Sequence, residues 1–287
     1  MPAAVLHRRP RGLRRHLRYA LVGVVVSAVL VMVLVVGLLP RADAAFTSKA
    51  VNGTNSLGAA NYFTCAAAVT NAAPAVWYKL DETSGTVAGN DGQGIDGSYQ
   101  GTTTKAQARA CVRDSGYAVA FNGTSGYVSL DTRYTVPTTY TFEAWVKTTT
   151  TTGGLIGGIG ASATGTSATV DRVLYLTTNG RLAFGINASS KSAVISTASF
   201  NDGKWHHAVA TLGTAGSALY VDGARVATSS TTATGTYTGY VRVAYDNLSG
   251  WPSAPSTSYF KGTLDDVALY TRTFTAAEVS DHFEAGS

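Results

Sequence analysis

Beyond residue 75 apolar positions recur every second residue in short runs, at 76–80, 117–121, 140–146, 173–176, 181–186, 205–212, 218–221 and 264–270. The runs are rich in Val, Tyr, Phe, Trp and Thr, which suit a pleated, half-buried surface. Period two with this chemistry predicts β-strands. Asn122-Gly123, Asn179-Gly180 and Asp222-Gly223 each fall between two runs. Such dipeptides favour tight hairpins, because both central residues of a type I′ turn need positive φ. The plainest hairpin is 218–221, Asp222-Gly223, 224–227. Many short strands with no helical pattern between them predict an all-β, antiparallel two-sheet sandwich. One helix is expected near the end. Thr275-Ala276-Ala277-Glu278 reads as a capping box, with Phe274 and Val279 as a hydrophobic staple. The Thr/Gly-rich stretches 148–153 and 160–169 read as loops at one end of the sandwich.

The head of the chain is different. Residues 1–18 hold six Arg and no acid, and 19–39 carry no charge. Pro40-Arg41-Ala42-Asp43-Ala44-Ala45 follows. A basic start, an apolar run and a small-x-small site predict a secretory signal cleaved after Ala44. The run also has the ~20 residues that cross a ~30 Å hydrocarbon core, so an uncleaved membrane anchor is the alternative. Segment 1–44 is therefore a signal peptide or transmembrane anchor, 45–71 an extended linker or stalk, and 72–287 one domain. Either leader places that domain outside the membrane.

Charge and cysteines sharpen this picture. The 22 basic against 17 acidic residues give a formal charge of +5, but seven Arg and one Asp lie in 1–44. The remainder has 15 basic and 16 acidic groups, net −1, which argues against nucleic acid as a partner. Cys65 and Cys111 are the only cysteines. In an oxidising compartment an even number suggests one disulfide; two buried thiols are the alternative.

Six motifs, in order, resemble the LamG-like jelly-roll family of the concanavalin A-like lectin/glucanase superfamily. They are Trp77-Tyr78-Lys79-Leu80-Asp81-Glu82-Thr83-Ser84-Gly85, Ala120-Phe121-Asn122-Gly123-Thr124-Ser125-Gly126-Tyr127-Val128, and Tyr140-Thr141-Phe142-Glu143-Ala144-Trp145-Val146. Then come Asp202-Gly203-Lys204-Trp205-His206-His207-Ala208-Val209-Ala210, Leu219-Tyr220-Val221-Asp222-Gly223 and Gly262-Thr263-Leu264-Asp265-Asp266-Val267-Ala268-Leu269-Tyr270. The resemblance spans about 75–284 and implies two curved antiparallel sheets, sugar or glycoprotein binding, and a structural Ca²⁺ in many members. In that family the first and last strands adjoin, which would bring Asp81 and Glu82 near Asp265 and Asp266, with Asn122 as a further ligand. Gly89 stands where the family usually has Asp. The Ala/Arg/Val/Thr-rich composition and the leader read as bacterial, so the sequons at Asn52, Asn122, Asn187 and Asn247 are expected to stay unmodified.

Two patterns carry candidate chemistry. The stretch Tyr245-Asp246-Asn247-Leu248-Ser249-Gly250-Trp251-Pro252 mixes acid, amide and indole, a composition that suits a glycan site. With Arg172 it makes the candidate ligand set Arg172, Asp246, Asn247 and Trp251; a structural loop with Trp251 tucked over the sandwich end is the alternative. His206 and His207 are strand neighbours, so they point to opposite faces and cannot share a metal. His282 is expected to stay apart from them. Glycoside hydrolysis needs two carboxyls flanking one bond, yet the Glu-x-Asp-x-x-Glu run of the superfamily's catalytic members is missing and Glu143 is the sole strand Glu. The sequence thus reads as an exported or membrane-attached binding module for carbohydrate or glycoprotein, and not an enzyme. A surface structural protein and a glycoside hydrolase are the alternatives.

Overall fold

The computed structural model describes residues 50–52, 55–57, 61–233 and 235–287. The leader 1–44 lies outside these residues. Among the described residues no helix is long and apolar enough to cross a membrane. The transmembrane expectation is corrected to that extent, and the run that prompted it, 19–39, is not among them.

A hairpin of β1 (Ala50–Asn52) and β2 (Asn55–Leu57) comes first. The remaining strands form two antiparallel sheets, as the periodicity predicts. The first runs β17 (Ala224–Ser229), β16 (Gly216–Val221), β15 (Trp205–Gly213), β10 (Tyr140–Lys147), β19 (Lys261–Tyr270), β7 (Ala118–Asn122) and β6 (Thr103–Gln107), with β3 (Val76–Tyr78) also on β19. The second runs β14 (Lys191–Ser199), β13 (Arg181–Asn187), β12 (Val170–Leu176), β11 (Gly154–Gly160), β18 (Tyr237–Val243), β8 (Tyr127–Leu130), β5 (Gly97–Gln100) and β4 (Val87–Ala88), with β9 (Tyr134–Val136) on β18. The expected adjacency of first and last strands is present: Tyr78 pairs with Val267 and Trp77 with Ala268.

Alternation fills the interior. Tyr140, Phe142, Ala144 and Val146 of β10 and Ala208, Ala210 and Leu212 of β15 join one core between the sheets with Ile156, Leu174 and Phe184. The opposite residues of β10 are also buried, because a second layer covers that sheet. Helix α1 (Cys65–Asn71) and helix α2 (Ala276–Gly286) supply it. Val69, Ala72, Phe274 and Val279 pack there on Trp77, Val209 and Tyr270. The segment expected to be an extended linker is therefore helical over α1. Thr64 caps α1 by accepting a hydrogen bond from Ala67 N at 3.1 Å. The capping box of α2 is complete, with Thr275 and Glu278 bonding reciprocally. Cys65 and Cys111 are disulfide-bonded, tying α1 to the 108–117 loop.

The turns divide by chemistry. Asp222 and Gly223 adopt φ of 51° and 76° and join β16 to β17 in the expected tight hairpin. At Asn179-Gly180 only the glycine has positive φ, and its amide bonds Thr177 O at 3.0 Å. Asn122-Gly123 closes no hairpin, since β7 and β8 lie in different sheets. Asn122 Oδ1 instead accepts from the amides of Thr124, Ser125 and Gly126. The stretches 148–153 and 161–169 flank β11, so they lie at opposite ends of the sandwich, not together.

Candidate functional site

Two concavities carry chemistry. The first is a small acidic cavity of about 90 Å³ beside the disulfide, lined among others by Asp81, Asp114, Asp265 and Asp266. The pairing of β3 with β19 brings Asp81 to Asp265, as the resemblance implied. Asp265 Oδ2 accepts from Ala110 N at 2.7 Å, Asp266 Oδ1 from the Trp77 indole at 2.9 Å, and Asp114 Oδ2 from Ala66 N at 3.0 Å. The cations nearby are committed elsewhere: Lys79 pairs with Asp91 at 2.5 Å, and Arg109 donates to the carbonyls of Cys111, Val112 and Gly116. Burial, with the charges of Asp114 and Asp81 added, pushes the Asp265 carboxyl up to about 7. Burial and then the Asp265 charge push Asp266 well up, and burial and Glu82 raise Asp81.

One oxygen each of Asp114 and Asp266 and the two disulfide sulfurs lie within 4.8 Å of one another. Disulfide sulfurs are not thiolates and are poor ligands. The usable donors are carboxylate oxygens, which suit a hard cation. The convergent oxygens of Asp114 and Asp266 fit such an ion and would hold it, with Asp81 and the buried Asp265 lining the same cavity, and it would supply the missing positive charge. Asn122 is not part of this set. Its side-chain oxygen is spent on three turn amides, and it stands at the Lys261 end of β19, four residues from Asp265. Glu82 turns to Gly89 N and the Tyr99 hydroxyl.

The second concavity is an open groove of about 530 Å³ on the first sheet, well within the range of ligand sites. Lys147, the five consecutive threonines 148–152, Gly203, Lys261, Gly262 and Thr263 line much of it. The loop is stiffened from within: Thr148 Oγ1 donates to Lys261 O at 2.6 Å and accepts from Thr150 N, while Asn201 Nδ2 bonds Thr150 O. That turns Thr149 and Thr151 outward. Gly262 must lack a Cβ, which would stand 2.6 Å from Lys147 O.

The composition-based ligand set has a different fate. Trp251 is 3% exposed and packs against Tyr175, and Gly185 leaves the space its ring fills. An indole so enclosed offers no face to a sugar. Both Asp246 oxygens are taken by Ser167 and by Asn247 N, and Asn247 Nδ2 bonds Ser167 O. Arg172 is fully buried and spends its guanidinium on Asp171 and the carbonyls of Pro137 and Gly235. These residues clamp loops rather than open to solvent.

The histidines divide as strand geometry requires. His206 bonds Asp222 and Asp202, and His207 lies on the other face with Glu143. Contrary to expectation, His282 joins them: its Nδ1 donates to Glu143 at 3.0 Å from α2. The Tyr270 hydroxyl also donates to Glu143. Burial alone would raise this carboxyl, but the His282 charge and the hydrogen bonds from both histidines outweigh it and hold Glu143 well below the usual carboxylate range. The cluster is buried beneath α2 and serves to dock that helix.

A family model described as concanavalin A-like lectin/glucanases superfamily matches residues 122–280. The chain belongs to that superfamily. No curated sequence matches this member. Among solved structures it is similar to Trypanosoma rangeli sialidase in complex with sialic acid, at 18% identity and TM-score 0.54, over 82% of this chain and 35% of that one. Another is domain 4 of AbnA, a GH43 extracellular arabinanase from Geobacillus stearothermophilus, in complex with arabinotriose, at 17% identity and TM-score 0.50 over 73% and 97%. This superfamily member thus spans about a third of the sialidase it matches. The expectation that it is not an enzyme is overturned by these matches: its fold over most of the chain recurs within catalytic glycosidases. A missing Glu-x-Asp-x-x-Glu strand is no ground for excluding that chemistry.

Proposed function

We propose that the chain serves glycoside hydrolysis outside the cell and that this domain holds the carbohydrate in the threonine-lined groove. The groove itself carries the reading: its size, its stiff backbone and its outward hydroxyls suit a polyol. The arabinanase domain described as bound to arabinotriose, nearly all of which this chain matches, supports it. Affinity electrophoresis against polysaccharides is expected to retard the domain. Replacing Thr149 and Thr151 together by alanine should weaken retention by about tenfold, the loss of one to two net hydrogen bonds. No retardation on neutral or acidic polysaccharides removes the reading.

A second reading, that the domain itself cleaves glycosides, is supported by the glycosidase matches and by Asp81 and Asp265 sharing one cavity. It requires sugar release from a retained polysaccharide that stops in Asp265→Asn.

The acidic cavity is proposed to take Ca²⁺. A bound ion stabilises only the native state, by about 2.7 kcal/mol at one hundred times Kd. Thermal unfolding in 2 mM Ca²⁺ against EDTA should therefore differ by several degrees. An unchanged midpoint rules calcium out.

A further inference from the structure

We infer that the groove selects saccharides that carry negative charge, as carboxylate or sulfate. This rests on the reading of the groove as the carbohydrate site. The argument begins with strand register. Lys147 of β10 pairs with Thr263 of β19, and Lys261 lies two residues along β19 from Thr263. Residues two apart on a strand share a face. Lys147 and Lys261 therefore rise from the same face as diagonal cross-strand neighbours, whose backbones stand about 7–8 Å apart.

Their surroundings leave both ammonium groups uncompensated. The groove lining includes no Asp or Glu. Among the described residues the other lysines all have polar partners: Lys79 with Asp91, Lys204 with Asp202, Lys105 with Thr103 and Lys191 with Ser249 O. Lys147 and Lys261 alone have none; Lys147 only approaches the Trp205 ring, at 5.9 Å. Two neighbouring like charges repel each other, and an anion between them relieves that cost. The hydroxyls of Thr149, Thr151 and Thr263 likewise have no protein partner among the described residues, so they remain to bind the sugar's own hydroxyls. Cation and polyol recognition thus meet in one groove on a domain that is otherwise slightly acidic.

Isothermal titration with four-residue oligogalacturonate, a chondroitin sulfate tetrasaccharide and neutral arabinotriose tests this. At least one acidic probe should bind about tenfold or more tighter than the neutral one, as a charge-assisted hydrogen bond allows. Comparison of the two acidic probes identifies carboxylate or sulfate as the favoured anion. Lys147→Ala and Lys261→Ala should each remove about tenfold for the acidic probe. Both should cost arabinotriose severalfold less affinity than the acidic probe and leave the melting temperature unchanged, while Lys147→Arg retains the preference. The acidic advantage should also shrink between 20 and 150 mM salt. Equal affinity for neutral and acidic probes, or acidic binding that survives both alanine variants, overturns the charge selection and leaves the groove reading standing. Failure of every saccharide to bind overturns both.

Discussion

Glu143→Ala is expected to destabilise the domain by about 3–5 kcal/mol, the cost of breaking a buried charged network by removing one partner. The carboxylate is the single acceptor on which Tyr270, His207 and His282 converge. Its loss strands three donors under α2. The pH dependence is specific. The folded Glu143 carboxyl titrates below its ordinary 4.5, so its contribution is present above that pH and is lost as pH falls. Burial alone would lower His282, but the Glu143 charge and hydrogen bond raise it above 6.5. Its contribution is complete below 6.5 and is lost as pH rises through the raised value. The network therefore stabilises most between about pH 5 and 6.5. Asp265, raised from its ordinary 3.8 to about 7, adds a separate loss as pH rises between those two values, in wild type and Glu143→Gln alike. Subtracting the Glu143→Gln profile from wild type, by thermal melts from pH 4 to 9, isolates the network. A difference curve without a maximum near pH 6 contradicts this account.

Opening the Cys65–Cys111 bridge should cost about 4 kcal/mol, from the loop entropy of a 46-residue separation. The bridge lies in a tight setting. Cys65 and Cys111 pack with Trp145, and a Cβ on Gly286 would meet Cys65 Sγ at 2.8 Å. Denaturant unfolding of a Cys65→Ser/Cys111→Ser variant measures the cost. The same variant loosens the wall of the acidic cavity, which Cys111 lines, so its response to Ca²⁺ should weaken too. A change under 1 kcal/mol would mean that α1 is held by its apolar contacts alone.

Much of the fold was legible in the sequence because strands announce themselves locally. Residues 140–146 alternate cleanly, and β10 follows them. The cap at Thr275 and the Asp222-Gly223 turn are similarly local, since their chemistry lies within four residues. The sites were not local. Trp251 carries the composition of a sugar platform, but Gly185, 66 residues earlier, leaves the space that swallows its ring. His282 reaches Glu143 across 139 positions. Asp114 enters the acidic cavity on a loop held by the disulfide, by Arg109 and by its own bond to Ala66 N, 48 positions away. The groove did leave a trace: five threonines in a row, flanked by Lys147 and double glycine. That trace reads as a plain loop until β19 sets Lys261 beside it.

The arrangement of β19 has a consequence for biogenesis. This strand sits at the middle of its sheet, paired with β10, β7 and β3, yet it spans 261–270 of 287 residues. A chain emerging N-terminus first cannot close that sheet until β19, the last of its strands in chain order, has been synthesised. Such late, long-range closure is slow. It makes a product truncated before 261 a target for proteolysis rather than a smaller working domain.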